Sequence, residues 1–287
     1  MTDLNSIPAR VGVIGGGRMG GGIAHAFLMA GSTVTVIERD GPSGAAARER
    51  IEASVAKSIA RGVDANLDEV VERLAVELDY TALAGNDLVV EAVFEDYDVK
   101  LDALRRAEAE LGPDAVLASN TSSISLDSLA AELQRPERFL GLHFFNPVPA
   151  STLIEVVIAA KTAPEIAEAA PKWVELLGKT PVVVKDSPGF ASSRLGVAIA
   201  IEAIRMVEEG VASAKDIDAA MELGYKHPTG PLKTTDIVGL DVRLGIAEYL
   251  AEHLGDRFAP PQLMRDMVAR GELGRKTGKG FYDYSAE

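Results

Sequence analysis

The chain has 287 residues, 47% of them hydrophobic and 25% charged, the balance of a globular protein with enough apolar residues for two domains. Its net charge of −14 argues against a nucleic-acid or anionic-membrane partner, and the absence of cysteine excludes disulfides, a cysteine nucleophile and thiolate metal sites, so no metal centre is expected. Residues 1–8 are polar and unlike a signal peptide, and the longest apolar stretch, near Leu195, is broken by Glu202 and Arg205, which makes the cytoplasm the expected location.

Short apolar runs alternate with helical patterns from residue 10 to residue 185. Strands are predicted over 11–14, 34–38, 87–91, 116–119, 139–144, 153–158 and 181–185, several of them unbroken Val/Ile/Leu runs of the kind buried on both faces. Helices are predicted over 20–30, 42–61, 98–111, 126–133 and 164–177. This alternation predicts an α/β fold, a Rossmann-like, doubly wound, mostly parallel sheet. Whether the last two strands pair parallel or antiparallel is not decided by periodicity. After Asp186-Ser187-Pro188-Gly189 the pattern turns helical, over 193–209, 214–223, 240–254 and 261–270. Pro-Gly punctuation marks a boundary there, giving a dinucleotide-binding domain over 1–186 and an all-helical C-terminal domain over 187–287.

Four stretches carry chemistry. The first is Gly15-Gly16-Gly17-Arg18-Met19-Gly20, which follows a strand, opens an apolar helix and precedes Glu38 by eighteen residues counted from Gly20. In that context the G-x-G-x-x-G spacing reads as a dinucleotide site. Gly15 permits the tight turn, Gly17 lets the backbone approach a pyrophosphate at the helix N-terminus, and Gly20 lets helix and strand pack closely. Glu38 suits the ribose hydroxyls and disfavours a 2′-phosphate, so NAD is the expected cofactor, although neighbouring Arg39 argues the other way. The second is the helix over 42–61, where Arg50, Ser54, Lys57 and Arg61 fall within about 60° of one another at 100° per residue. Such a face is either plain solvated surface or, in so acidic a chain, a seat for a polyanionic substrate tail. The third, Ser119-Asn120-Thr121-Ser122-Ser123, closes a strand; it either caps the next helix or lines the cofactor crevice. In the fourth, Gly141-Leu142-His143-Phe144-Phe145-Asn146-Pro147-Val148-Pro149, His143 ends a strand twelve residues before Glu155. A lone histidine is often a satisfied core residue. Here the pair also meets the needs of hydride transfer: imidazole takes the hydroxyl proton, and a carboxylate on its far nitrogen fixes the tautomer.

In combination, VIGGGRMGGGIA, DLVVEAVFED, ASNTSSI, GLHFFNPVP with LIEVV, DSPGF and GRKTGKGFYDY resemble the L-3-hydroxyacyl-CoA dehydrogenase family over nearly the whole chain, and the short length is similar to its bacterial forms acting on 3-hydroxybutyryl-CoA. The resemblance implies that His143 is the catalytic acid/base, Glu155 its partner, and Ser122 a contact of the substrate hydroxyl and the cofactor. It implies that Met19, Glu95 and Lys100 touch NAD, that Ser54, Lys57 and Arg61 lie along the coenzyme A, and that the helical domain forms a homodimer. One departure stands out: Ser193 occupies the place of the family's asparagine in the catalytic set, shorter but still a donor and acceptor. Two rivals remain. A dehydrogenase of a free hydroxy or sugar acid has no use for the cationic face, and a non-catalytic dinucleotide-binding protein has no use for His143 with Glu155.

Overall fold

The computed structural model describes residues 4–286, and the chain falls into two compact units, 1–186 and 187–287. Unit 1 opens with β1 (Arg10–Ile14), α1 (Arg18–Met29), β2 (Thr33–Ile37), α2 (Gly41–Ala60), α3 (Leu67–Val71) and β3 (Leu74–Glu77). It continues with β4 (Leu88–Glu91), α4 (Tyr97–Glu110), β5 (Val116–Ser119), α5 (Leu126–Ala130) and β6 (Phe139–Phe144), and closes with β7 (Leu153–Ile158), α6 (Pro164–Leu176) and β8 (Thr180–Lys185). Among the described residues eight strands form one sheet in the order β3-β2-β1-β4-β5-β6-β7-β8. Chain order reverses between β1 and β4, so the carboxyl ends of those strands flank the crevice where such sheets bind ligands.

The sequence explains the layering. Strands β4, β5 and β6 bury every residue, which their near-continuous apolar runs permit. Edge strands β3 and β8 are only partly buried, and each ends on a charged residue, Glu77 and Lys185. Helix α1 is buried from Gly20 to Leu28 beneath α2, and its Phe27 and Leu28 each contribute about 1.5–3 kcal/mol of apolar burial. Loops end where side chains satisfy the orphan amides of the next helix: Asp40 accepts from the Ser43 amide (2.7 Å) to start α2, and Asp96 from Val99 (3.0 Å) to start α4.

Several elements depart from the pattern read in the sequence. Helix α3 and strand β3 lie in a segment assigned neither helix nor strand. Helix α5 stops at Ala130 rather than at residue 133. Strands β7 and β8 pair in parallel, linked by α6; the antiparallel step is β6 to β7.

Unit 2 holds α7 (Ser192–Glu208), α8 (Ala214–Ala219), α9 (Pro231–Val238), α10 (Leu240–Leu254) and α11 (Gln262–Ala269), packed around Val197, Ile201, Ile204, Leu232, Leu250 and Met264. The turn after α8 widens into a single π-type turn over Ala220–Gly224, where the sequence predicted regular helix. Helix α9 was hidden by Pro231, which sits at its first turn, a position that tolerates proline. Buried Asp236 accepts from the amides of Phe281 (3.0 Å) and Tyr282 (2.9 Å) and from the Tyr284 hydroxyl (3.2 Å). The GFYDY tail is therefore a clamp on α9. Among the described residues no helix is long and apolar enough to cross a membrane.

One buried histidine belongs to this packing. His25 on α1 meets the Ser58 hydroxyl on α2 through Nε2 (2.9 Å), and its Nδ1 has no hydrogen-bond partner among the described residues. Burial, with Lys179 nearby, lowers its pKa below the free value. Between that lowered pKa and the free value, the unfolded chain binds a proton that the folded chain refuses, so stability falls as pH drops through this window. The His25→Gln variant is expected to lose less Tm than the parent on going from about pH 7.5 to about pH 5.5. Thermal melts of both proteins at the two pH values check this, and equal losses would remove His25 as a cause.

Candidate active site

The crevice is built from the loops that leave β1, β4, β5 and β6. After β1 the chain turns through Gly15 to Gly17, and α1 begins at Arg18 without a side-chain cap. A Cβ at Gly20 would lie 1.7 Å from the Gly15 carbonyl oxygen, so glycine there is demanded by the turn itself. At Gly17 a Cβ would meet nothing within 4 Å. The packing of the chain does not require glycine at that position, whereas a phosphate laid over an uncapped helix N-terminus does. The loop thus fits a dinucleotide. Met19 follows on α1, half-buried and packed on the sheet core.

Glu38, one residue past the end of β2, accepts from the Gly16 amide through Oε1 (2.7 Å), so its carboxylate is held against the glycine loop. Arg39 turns away, its Nε 3.2 Å from Asp40 and 3.3 Å from the Ser43 hydroxyl.

At the ends of β4 and β5 lies a buried polar cluster. Glu91 and Lys100, 0% and 1% exposed, pair at 2.8 Å, and Lys100 Nζ also reaches Glu95 Oε2 at 3.1 Å. Glu95 Oε1 gathers donors from the strand-end loop: the Thr121 hydroxyl (2.6 Å), the Ser122 amide (2.8 Å), the Ser122 hydroxyl (3.3 Å) and the Ser123 amide (3.2 Å). Desolvation opposes its charge, but Lys100 and these donors outweigh it and hold the carboxyl below its ordinary range. Asn120 Oδ1 accepts from the Phe144 amide (2.8 Å), tying this loop to the end of β6.

His143 and Glu155 face each other across the β6–β7 pair, in register, and both are buried. His143 Nδ1 lies 2.8 Å from Glu155 Oε2, and the imidazole rests against the Phe145 ring at 4.5 Å between centroids. With Nδ1–H donating to the carboxylate, the lone pair sits on Nε2, which gives the ring an acid/base nitrogen of fixed orientation.

The structure thus brings together Gly15, Gly17, Met19, Gly20 and Glu38 at one end of the sheet's carboxyl edge, and Glu95, Lys100 and Ser122 beside them. His143 and Glu155 lie further along the same edge. Ser54, Lys57 and Arg61 lie on α2 and its C-terminal residue, half-buried, exposed and exposed. Arg50 leaves that face, because its guanidinium donates to the Gly16 carbonyl (2.7 Å). Ser193 stands in the first turn of α7, half-buried, in unit 2. One residue of the crevice escaped the sequence reading, Glu91. The signal for Glu91 was present: a single carboxylate closing the otherwise apolar strand Leu88–Glu91.

A dinucleotide loop and an oriented histidine on one sheet edge are the equipment of a nicotinamide-dependent dehydrogenase. Residues 10–187 match the model of the 3-hydroxyacyl-CoA dehydrogenase NAD binding domain, and residues 189–284 that of the 3-hydroxyacyl-CoA dehydrogenase C-terminal domain. A probable 3-hydroxybutyryl-CoA dehydrogenase of Deinococcus radiodurans is 42% identical over 96% of this chain and 100% of its own. The mitochondrial hydroxyacyl-coenzyme A dehydrogenase of Sus scrofa is 39% identical over 96% of this chain and 90% of its own. The crystal structure of (S)-3-hydroxybutyryl-CoA dehydrogenase from Ralstonia eutropha superposes with a TM-score of 0.93 at 38% identity, covering 96% of this chain and 99% of that one. The chain belongs to the 3-hydroxyacyl-CoA dehydrogenase family. Its cofactor is accordingly NAD, and it is an oxidoreductase.

Proposed function

We propose that the enzyme interconverts a short-chain (3S)-3-hydroxyacyl-CoA and the 3-ketoacyl-CoA, with 3-hydroxybutyryl-CoA and acetoacetyl-CoA as the pair. The observation that carries this reading is the 2.8 Å contact between His143 Nδ1 and Glu155 Oε2 at the carboxyl edge of the sheet. Bound at this site, NAD⁺ would supply a hydride acceptor for C3, and NADH a hydride donor in the reverse direction. His143 Nε2 accepts the C3 hydroxyl proton in the oxidising direction and donates it back in the reducing one. Glu155 holds the tautomer and stabilises the imidazolium. Ser122 contacts the substrate oxygen and the cofactor, and Ser193 supplies a shorter donor where the family has asparagine. Gly15, Gly17, Met19 and Gly20 seat the pyrophosphate end; Glu38 binds the adenosine ribose; Glu95 and Lys100 border the cofactor. Ser54, Lys57 and Arg61 take the coenzyme A.

Residues 1–186 act as the cofactor unit and 187–287 as the substrate and dimerisation unit of a cytoplasmic homodimer. Support for dimerisation comes from apolar side chains on the surface of unit 2, Leu223 and Tyr225 at 74% and 75% exposed among them. The test of the substrate class is NADH oxidation with acetoacetyl-CoA, longer 3-ketoacyl-CoAs and free 3-keto acids. The highest kcat/KM is expected with acetoacetyl-CoA; a free keto acid that matches it overturns the acyl-CoA reading.

Cofactor choice follows from Glu38. Its carboxylate, held against the glycine loop, would repel a 2′-phosphate, and Arg39 is engaged with Asp40. Repulsion worth about 1.4 kcal/mol corresponds to a tenfold preference, so kcat/KM with NADH is expected to exceed that with NADPH by roughly tenfold. Equal efficiencies would mean that Arg39 swings out to meet the phosphate.

A further inference from the structure

We propose that Glu91 is a positioning residue of the cofactor crevice, acting through Lys100; the proposal rests on the reading that Lys100 and Glu95 border NAD. Glu91 is the last residue of β4, paired in register with Ile14 on β1 and with Ser119 on β5. It stands at the centre of the sheet, directly before the switch-point crevice. A strand with both faces buried asks for an apolar residue there. A wholly buried carboxylate instead is costly unless it is paired and hydrogen-bonded.

Here three donors from three segments converge on it. Glu91 Oε1 accepts from Lys100 Nζ (2.8 Å) and from the Val93 amide (2.7 Å), and Oε2 accepts from the Ser119 hydroxyl (2.6 Å). Three separate segments are thereby fixed to one group: the loop after β4, the fourth residue of α4 and the end of β5. Lys100 is itself 1% exposed, so its ammonium cannot find water in place of a lost partner. Besides a 3.5 Å contact with the Val93 carbonyl, it reaches Glu95 Oε2, on the rim, whose side chain is 39% exposed. The chain of contacts runs outward from Glu91 to Lys100 to Glu95, and Glu95 in turn holds the Ser122 amide and hydroxyl. Fixing Lys100 with a second, deeper carboxylate does two things. It sets the ammonium in one place, and it leaves Glu95 only part of the neutralisation, so Glu95 Oε1 stays free to collect the donors of residues 121–123. A glutamine at position 91 keeps the shape but removes the charge that anchors Lys100, which then shifts toward Glu95.

The test is a double-mutant cycle on Glu91→Gln and Lys100→Met, read by fluorescence titration of the full-length enzyme with NADH. Steady-state kinetics with acetoacetyl-CoA at saturating NADH and a thermal melt accompany it. Both single variants are expected to raise the NADH Kd roughly tenfold, and the double variant no further than Lys100→Met alone, because Glu91 works through Lys100. Any change in the KM for acetoacetyl-CoA should likewise be no larger in the double variant than in Lys100→Met alone, because Ser122 is reached only through Lys100 and Glu95, whereas a merely loosened fold would compound the two losses. If Lys100→Met raises the Kd but Glu91→Gln does not, or if the two effects multiply in the double variant, the positioning role is overturned. If Lys100→Met itself leaves the Kd unchanged, the reading of Lys100 as a cofactor neighbour fails first and takes the proposal with it. Should Glu91→Gln not fold, Glu91→Asp carries the same cycle: the charge remains, the reach is one methylene shorter, and the Kd should still rise.

Discussion

Replacing His143 with glutamine is expected to lower kcat by a factor on the order of 10²–10⁴, the usual cost of removing a general acid/base. Glutamine is close to imidazole in length, and its amide nitrogen can still donate to Glu155 Oε2, now 2.8 Å from Nδ1. The side chain therefore keeps its place in the β6–β7 pair. What it loses is a ring nitrogen able to accept the substrate's proton and return it. Binding of NADH should change little, for a geometric reason: β4 and β5 separate β6 from β1, and three strand spacings are about 14 Å. The glycine loop follows β1, and Glu38 follows β2, one strand further out. Steady-state rates and NADH titrations on the same preparation check both halves of the expectation. A variant retaining more than about a tenth of the parent rate would make His143 a packing residue against Phe145, since removing a working acid/base costs far more than tenfold.

Arg61→Ala is expected to raise the KM for acetoacetyl-CoA roughly 5- to 30-fold, the equivalent of about 1–2 kcal/mol for a partly exposed charge–phosphate contact. The KM for a truncated acetoacetyl thioester without the nucleotide should stay nearly constant. Arg61 is exposed at the C-terminal end of α2, and Lys57 is exposed one turn earlier. Cations at a helix C-terminus also favour the helix by about 0.3–1 kcal/mol, so some loss of stability will accompany the change. That loss weakens both substrates alike, which is why the truncated thioester is the control. Added salt should raise the KM of the full substrate in parallel, because exposed charges are screened. Equal effects on both thioesters would reduce this face to solvated surface.

Signals in the sequence are legible where the physics is local. The glycine loop, the strand before it and Glu38 form one βαβ unit, and each part constrains the next within a few residues. His143 and Glu155 were legible for a different reason. Both interrupt apolar runs, and the chain between them is short enough for the two strands to be neighbours. Strand β3 was not legible: four residues at a sheet edge, half-buried, carry almost no periodicity. Strand direction at β7 and β8 depends on how α6 crosses the sheet, which no residue-level pattern encodes. Lys100 illustrates a further limit. Lysine is among the residues least often wholly buried, so composition places it on the surface of α4, and only the meeting of the β4 loop with α4 reveals its carboxylates. Arg50 misled in the opposite sense, since its helical phase is that of Lys57 and Arg61 while its guanidinium belongs to the glycine loop.

The antiparallel step between β6 and β7 makes the meeting of His143 and Glu155 a matter of parity. Side chains alternate between the two faces of a sheet, so the pair shares a face only while the two strands keep their count. Insertions in the connection over residues 145–152 leave that count untouched, because the register is kept by the ladder rather than by the length of the loop. A single residue gained or lost within β7, upstream of Glu155, turns its carboxylate to the opposite face and places Ile154 or Val156 beside the imidazole. The length of the connection is thus free of the constraint that binds the six residues Leu153–Ile158, while Phe145 and buried Val148 fix its composition at two places.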